Sequence, residues 1–121
     1  MNAVTWFELP TRDLERAARF YEAVLGCPLL RMDFLGVPHA VFPNDGSRGA
    51  VGGSLIFDPL RPPTPGGAVV YLDARGDLAG CLARAEQAGG RVVLESTAIG
   101  DMGQIGAIVD TEGNHVGLQE F

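Results

Sequence analysis

Two stretches of this sequence repeat one helical pattern at equal length, and this repeat restricts the fold more than any other feature. An Asp-Leu pair at 13–14 is followed by small and apolar residues at helical spacing, and Gly26 stands thirteen positions after the Asp. The Asp-Leu pair at 77–78 is followed in the same way by Gly90, again thirteen positions on. An Asp side chain accepts hydrogen bonds from the free N–H groups of a first helical turn, and glycine ends helices. The sequence therefore predicts two equivalent helices in two equivalent modules.

Short apolar runs separated by Gly, Pro and Asn predict the strands around each helix. We expect strands at 3–9, 28–34, 37–42 and 51–57 in the first half, and at 67–73, 91–95, 104–110 and 115–121 in the second. The predicted fold class is α+β: two βαβββ modules that form a curved mixed sheet with a concave cleft, helices outside. Residues 1–121 would form one domain, with module one at about 1–58, a stiff proline-rich linker at about 59–66 and module two at about 67–121.

Composition and charge exclude several classes of function. The chain has nine basic residues, all Arg, against fifteen acidic ones, a net charge of −6. Without a basic cluster nothing neutralises a row of phosphates, so nucleic acid is not an expected partner. Without lysine, neither Schiff-base chemistry nor a P-loop is available. No apolar run reaches the roughly 20 residues of a membrane span, and no basic leader is present. We therefore expect a cytoplasmic protein with no membrane partner, in which Cys27 and Cys81 are reduced core residues.

Several motifs resemble one known superfamily in order and spacing. The stretch at 6–17 with the Phe-Tyr pair at 20–21 resembles the opening of vicinal oxygen chelate proteins, which include glyoxalase I, bleomycin-resistance proteins and extradiol dioxygenases. The stretches at 70–73 and 110–114 resemble the start and end of the second module of that superfamily. Together these motifs cover nearly the whole chain. They imply a glyoxalase-like fold and do not by themselves name a reaction.

The same resemblance implies where a divalent metal would be bound. Catalytic members hold one metal in the concave sheet, and glyoxalase I uses four His or Glu ligands. The corresponding positions here are Trp6, Gly53 or Ser54, Val69 and Gly117. None of them is His, Glu or Asp, and an indole, an isopropyl group and a hydrogen atom supply no lone pair to a cation. We therefore expect no metal cofactor and no glyoxalase I activity.

Strand alternation predicts a different set of residues around the cleft. Side chains two residues apart on a strand share a face. Residues two or four positions from Trp6 or Gly117 on the same strand are therefore expected to face the cleft. The candidate ligand-binding residues are therefore Trp6, Glu8, Val69, Tyr71, Asp73, His115 and Gln119, to which Met102 is added from a glycine-rich loop expected to act as a lid. Glu8 and His115 are also the candidate catalytic residues. Together with Asp73 they form the one alternative metal site, away from the family's usual ligand positions.

Other aromatic and histidine positions leave alternatives open. Trp6 is either a flat wall for a planar ligand or filler for an unused cavity. Phe34, Phe42 and Phe57 are core or pocket, since the strand register is not known from the sequence. His39 follows a proline on a short strand, a setting more typical of a surface or hydrogen-bonded histidine than of a catalyst.

Three kinds of function are compatible with these features. The first is a metal-free protein that binds a small planar or aromatic molecule in the concave cleft, with Trp6 and Tyr71 as walls and Glu8, His115 and Gln119 as hydrogen-bonding groups. The alternative is a lyase or dioxygenase of the same superfamily with a displaced site, metal-dependent or metal-free. The third is an accessory module whose cleft is filled by Trp6. In each case the resemblance implies a homodimer, since pairing covers sheet edges and completes two clefts.

Overall fold

The computed structural model describes residues 2–121 as two modules of the same architecture. The first contains β1 (Trp6–Pro10), α1 (Leu14–Leu25), β2 (Leu30–Phe34), β3 (Val37–Val41) and β4 (Gly52–Ile56). The second contains β5 (Tyr71–Asp73), α2 (Leu78–Gln87), β6 (Arg91–Ala98), a short 3₁₀ helix (Gly100–Met102), β7 (Gln104–Val109) and β8 (His115–Glu120). Over these residues no helix has both the length and the apolar character needed to cross a membrane.

Each module forms its own four-stranded mixed sheet. The first sheet has the order β1-β4-β3-β2, and the second has the equivalent order β5-β8-β7-β6. In both, the outer first strand pairs in parallel with the last strand, and the remaining pairs are antiparallel. The predicted α+β class with two βαβββ modules is confirmed.

Strand ends differ from the predicted ones where the chain meets an edge or a turn. β1 includes Pro10, one residue beyond the predicted strand at 3–9. An edge strand tolerates this proline because one row of its N–H groups needs no partner. β5 has only three residues, so Val69 lies before the strand rather than on it. β6 extends beyond Glu95 to Ala98, with register shifts that let it bend along β7.

Both helices begin, and the first also ends, at the residues that the repeat singled out. The Asp13 side chain accepts a hydrogen bond from the Arg16 N–H, and Gly26 takes the left-handed conformation at φ 71°. Asp77 caps α2 in the same way, through the N–H of Gly80. The last residue of α2 is Gln87, and its C-cap is Ala88 rather than the predicted Gly90.

One hydrophobic core serves both modules. α1 packs on β3 and β4, α2 packs on β6, β7 and β8, and the two helices contact each other. Large, fully buried side chains of this core come from both halves: Tyr21, Val24, Leu55, Leu78, Ile108, Val116 and Leu118. Each sheet therefore turns its helix-covered face toward the interior, and the opposite face of each sheet has no covering helix.

A turn of the second module holds the start of α1. The Oε1 atom of Glu112 accepts hydrogen bonds of 2.8 Å from the backbone N–H groups of both Arg12 and Asp13. The Arg16 guanidinium lies 2.8 Å from Oε2 of the same carboxylate, whose side chain has no exposed area. Asn114 donates a 2.8 Å hydrogen bond to the Pro10 carbonyl. The helix N-terminus favours this anion, because its free N–H groups carry partial positive charge.

A second contact joins the same turn to the middle of α1. The buried Tyr21 hydroxyl donates a 2.6 Å hydrogen bond to Asp110, which also accepts from the backbone N–H groups of Glu112 and Asn114. Burial, together with the Asp110 charge, raises the pKa of Tyr21 well above its usual value, so the phenol stays protonated and remains a donor.

Glu112→Gln is expected to lower the free energy of unfolding by about 2 kcal/mol at neutral pH, since charge-assisted hydrogen bonds to a buried carboxylate are lost. Urea denaturation measures this change. Glu95→Gln, at an exposed position on β6, is the matched control and should change stability by less than about 0.5 kcal/mol. Equal stability of the two variants would contradict the role assigned to Glu112.

Wild-type stability should also fall in acid through this residue. Burial alone raises the pKa of Glu112, but the hydrogen bonds from Arg16, Asp13 and Arg12 outweigh burial and hold the pKa below its usual 4.5. A lowered pKa means that the stabilisation is complete above pH 4.5 and is lost as pH falls through the folded-state pKa. Unfolding curves at decreasing pH should therefore converge for wild type and Glu112→Gln, and a constant difference would contradict this.

Candidate functional site

A cavity of about 640 Å³ opens on the face of the first sheet that has no helix over it. Three aromatic rings, from Trp6, Phe34 and Phe57, lie in its wall. The remaining lining residues are aliphatic or polar: Glu8, Leu35, Val37, His39, Ile56, Asp58, Pro59 and Arg61. All belong to the first module or to the start of the linker. We call this space the first-sheet cavity.

The strand register determines which side chains reach this face. Trp6 and Glu8 are opposite Gly52 and Ser54, and His39 is opposite Ile56. The alternate positions, such as Leu9 and Leu55, are buried in the core on the helix side. Gly53 belongs to that inner side, since a Cβ there would clash with the Phe7 ring. Of the two positions considered for a second metal ligand, Ser54 therefore shares the face of Trp6.

The acidic and basic groups of the cavity are bonded to one another at its edge. Glu8 accepts hydrogen bonds from the Trp6 indole N–H at 3.4 Å and from Arg61 at 3.1 Å. Arg61 also contacts Asp58 at 3.0 Å. The pKa of Arg61 is raised by its hydrogen bonds to Asp58 and Glu8, so this arginine stays charged. These contacts attach the linker to β1 and hold the Trp6 indole in place.

His39 lies deeper in the cavity and was not among the predicted site residues. Only 6% of it is exposed, its ring meets Phe34 edge-on at 4.9 Å, and its Nδ1 lies 2.7 Å from the Ser54 hydroxyl. The sequence predicts that His39 is a surface or hydrogen-bonded residue, and in the structure it is hydrogen-bonded to Ser54. Alternation along β3 could indicate that His39 faces away from the core. Only the register of β3 against β4 reveals that Ser54 is its hydrogen-bond partner.

The two modules share an arrangement of an aromatic ring over a glycine. Trp6 is opposite Gly52 in the parallel β1–β4 pair, and Tyr71 is opposite Gly117 in the equivalent β5–β8 pair. A Cβ on Gly52 would lie 2.8 Å from the indole Cζ3, and a Cβ on Gly117 would overlap the phenol ring. Each ring therefore occupies the space that a side chain at the glycine would otherwise fill.

The remaining predicted site residues lie in the second module. Tyr71 and Asp73 are opposite Gly117 and Gln119, which places them on one face of the second sheet. Gln119 donates a 2.9 Å hydrogen bond to the Met102 carbonyl and so holds the loop predicted to be a lid. His115, also on β8, is opposite Val109. No residue of this sheet lines the first-sheet cavity, so Trp6 and Glu8 share that cavity without Tyr71, Asp73 or His115. Tyr71 and Asp73 line a separate cavity of about 440 Å³, together with first-module residues such as Gly52.

The donors around these faces do not fit a divalent metal within one chain. In residues 2–121 no three His, Cys, Asp or Glu side chains are grouped closely enough to hold an ion. Glu8 is already bonded to Trp6 and Arg61, and the buried Ser54 hydroxyl to His39. A transition metal prefers several imidazole, thiolate or carboxylate ligands at once.

Comparison with known proteins identifies the family. The family model described as the Glyoxalase/Bleomycin resistance protein/Dioxygenase superfamily matches residues 3–118, and the chain belongs to this superfamily. No curated protein matches.

Solved structures show the same fold at low sequence identity. A glyoxalase/bleomycin resistance protein from Albidiferax ferrireducens T118 is 17% identical with a TM-score of 0.72, and the match covers 98% of each chain. One from Streptomyces sp. CB03234 is 23% identical with a TM-score of 0.65, covering 98% of this chain and 100% of the other. The fosfomycin resistance protein FosX from Listeria monocytogenes is 10% identical with a TM-score of 0.66, covering 100% and 92%. At such identities these likenesses establish the fold alone.

Gly52→Ala is expected to displace the Trp6 indole, because the new methyl group would lie 2.8 Å from the ring. The chain has a single Trp, so its fluorescence reports this position alone, and a red shift of emission should accompany greater exposure. Gly66→Ala is the control, since its Cβ would meet nothing closer than 3.8 Å. Unchanged emission in Gly52→Ala would contradict the packing of ring on glycine.

Proposed function

We propose that this protein binds a small planar or aromatic molecule in its concave cleft, without a metal, and acts by sequestering that molecule. The observation that carries the proposal is the first-sheet cavity, which combines three aromatic rings with apolar side chains. Its volume of about 640 Å³ lies within the range of small-molecule sites. Sequestration needs affinity alone, so it does not require the missing metal ligands.

The arrangement of the rings favours a flat ligand. Trp6 and Phe34 meet edge to face, with centroids 6.5 Å apart and planes at 82°. Trp6 is 40% exposed and lines the cavity rather than filling it. The indole plane is tied to Glu8 and rests on Gly52, so a flat molecule can stack against a wall that is already positioned.

The proposal includes a homodimer that completes the cleft. The uncovered faces of both sheets expose large apolar side chains, among them Leu30, Met32, Phe34, Tyr71 and Leu94. Such surfaces mark interfaces on soluble proteins. A second copy that sets its second sheet against the first sheet would bring Tyr71, Asp73, His115 and Gln119 to the cavity that already contains Trp6 and Glu8. A two-fold dimer would form two such clefts.

We also place the dimer in the cytoplasm, where the two free cysteines would stay reduced.

Native mass spectrometry of the gently purified protein tests assembly and metal together. We expect a mass of twice 12.8 kDa, with either no addition or an organic one. One divalent metal per chain, removable by a chelator, would contradict the metal-free proposal. A monomer at all concentrations would contradict the completed cleft.

Ligand binding is tested by the indole N–H signal of Trp6 in ¹H–¹⁵N correlation spectra. Naphthalene, a flat bicyclic hydrocarbon, should shift this signal in a saturable way, whereas camphor, which is compact and not flat, should not. Phe34→Leu removes one ring of the wall and should weaken naphthalene binding about threefold to tenfold. Phe121→Leu, at an exposed ring outside the cavity, should leave it unchanged. No shift with naphthalene up to its solubility limit would contradict the proposed function.

A further inference from the structure

His39, which lines the first-sheet cavity, forms a hydrogen-bonded pair with the buried Ser54 that no motif of the sequence indicates. They lie on the neighbouring strands β3 and β4, on the face opposite to the helices. The Nδ1–Oγ distance is 2.7 Å, and Ser54 has no exposed area. In a buried polar pair of this kind each N–H or O–H donor needs an acceptor, since an unsatisfied buried donor costs free energy.

The serine decides which histidine nitrogen carries the proton. Within residues 2–121 the Ser54 hydroxyl has no hydrogen-bond partner other than His39. If His39 donated from Nδ1, the hydroxyl hydrogen of Ser54 would be buried without an acceptor. If Ser54 donates, both groups are satisfied. Neutral His39 therefore accepts at Nδ1 and carries its hydrogen on Nε2.

The Nε2 atom is available to a ligand. It makes no hydrogen bond to any described residue, yet no buried side-chain nitrogen or oxygen in residues 2–121 lacks a partner. Nε2 must therefore reach open space, and the side chain lies on the sheet face that the cavity occupies. The charged groups of the cavity, Glu8, Asp58 and Arg61, bond to one another at its edge.

From this geometry we infer that His39 presents a fixed N–H donor to the ligand, and that the cavity selects planar aromatic molecules carrying a carbonyl or comparable oxygen acceptor. The inference rests on the proposed function and adds the chemical class of the ligand. Ser54 is a positioning residue, because it acts only by holding the ring and its tautomer. Phe34 restricts the same ring from its edge, so the donor direction is set before binding.

The tautomer is tested first, in the ligand-free protein. The chain has two histidines, so long-range ¹H–¹⁵N spectra of the imidazoles contain two patterns, and His39→Phe identifies which belongs to His39. At a pH where both are neutral, we expect Nδ1 of His39 to show the shift of an unprotonated nitrogen and Nε2 that of a protonated one. The opposite assignment would overturn the inference. Ser54→Ala should lose this single-tautomer pattern, while Ser47→Ala, in an exposed loop, should keep it.

Ligand class is tested with two flat bicyclic probes of similar size. Coumarin carries a carbonyl acceptor and no donor, and naphthalene carries neither. The ratio of coumarin affinity to naphthalene affinity, measured by the Trp6 indole N–H signal, should fall about fivefold to tenfold in His39→Phe, because only coumarin loses a hydrogen bond. Ser54→Ala should lower the ratio by a smaller factor, and Ser47→Ala should leave it unchanged.

The outcomes separate this inference from the function on which it rests. If both probes bind wild type and His39→Phe with the same affinity ratio, the cavity binds aromatic molecules but His39 does not select them, and only the inference fails. If neither probe binds wild type, the proposed function fails and the inference fails with it. If the ratio falls while naphthalene affinity is kept, the donor role of His39 is supported and misfolding of the variant is excluded.

Discussion

The docking of a buried carboxylate at the start of α1 is the contact on which the arrangement of the two modules depends. Glu112, in a turn of the second module, satisfies two backbone N–H groups of the first module and pairs with Arg16. Removing one partner would leave a buried charge or buried donors without compensation, which is more costly than never burying them. The contact joins residues nearly the whole chain apart, so it orients one module against the other.

This orientation explains why the first-sheet cavity faces outward. Because α1 and α2 pack together in one core, each sheet presents its helix-covered side to the interior. The opposite faces, with Trp6 on one sheet and Tyr71 on the other, are left uncovered. The internal repeat makes the two faces equivalent in construction, since each places an aromatic ring over a glycine of the last strand. The proposed dimer uses this equivalence, because each cleft would combine the uncovered face of the first sheet of one copy with that of the second sheet of the other.

Local patterns predicted much of the fold and part of the site. Asp13 and Asp77 as caps, and Gly26 as a left-handed stop, follow from the needs of helix termini and need no tertiary information. Trp6 and Glu8 were placed on one face by alternation, and the structure puts both in the first-sheet cavity. The sequence places Val69 on a strand that in fact begins only at Tyr71, because β-branched residues just before a strand have the same pattern as the strand itself. The sequence does not place His39 in the site, since its partner Ser54 is on another strand.

The sequence by itself determined the two-module plan, the helix boundaries near the repeated Asp and Gly residues, and the absence of metal-ligand side chains at Trp6 and Gly117. These properties depend on residue type and on the spacing of near neighbours, which set backbone hydrogen bonding and side-chain direction within one element. Only the tertiary structure decided that Ser54 holds His39, that Glu112 holds α1, and which sheet faces stay uncovered. Those outcomes depend on strand register and helix docking, which are set by contacts between residues far apart in the chain.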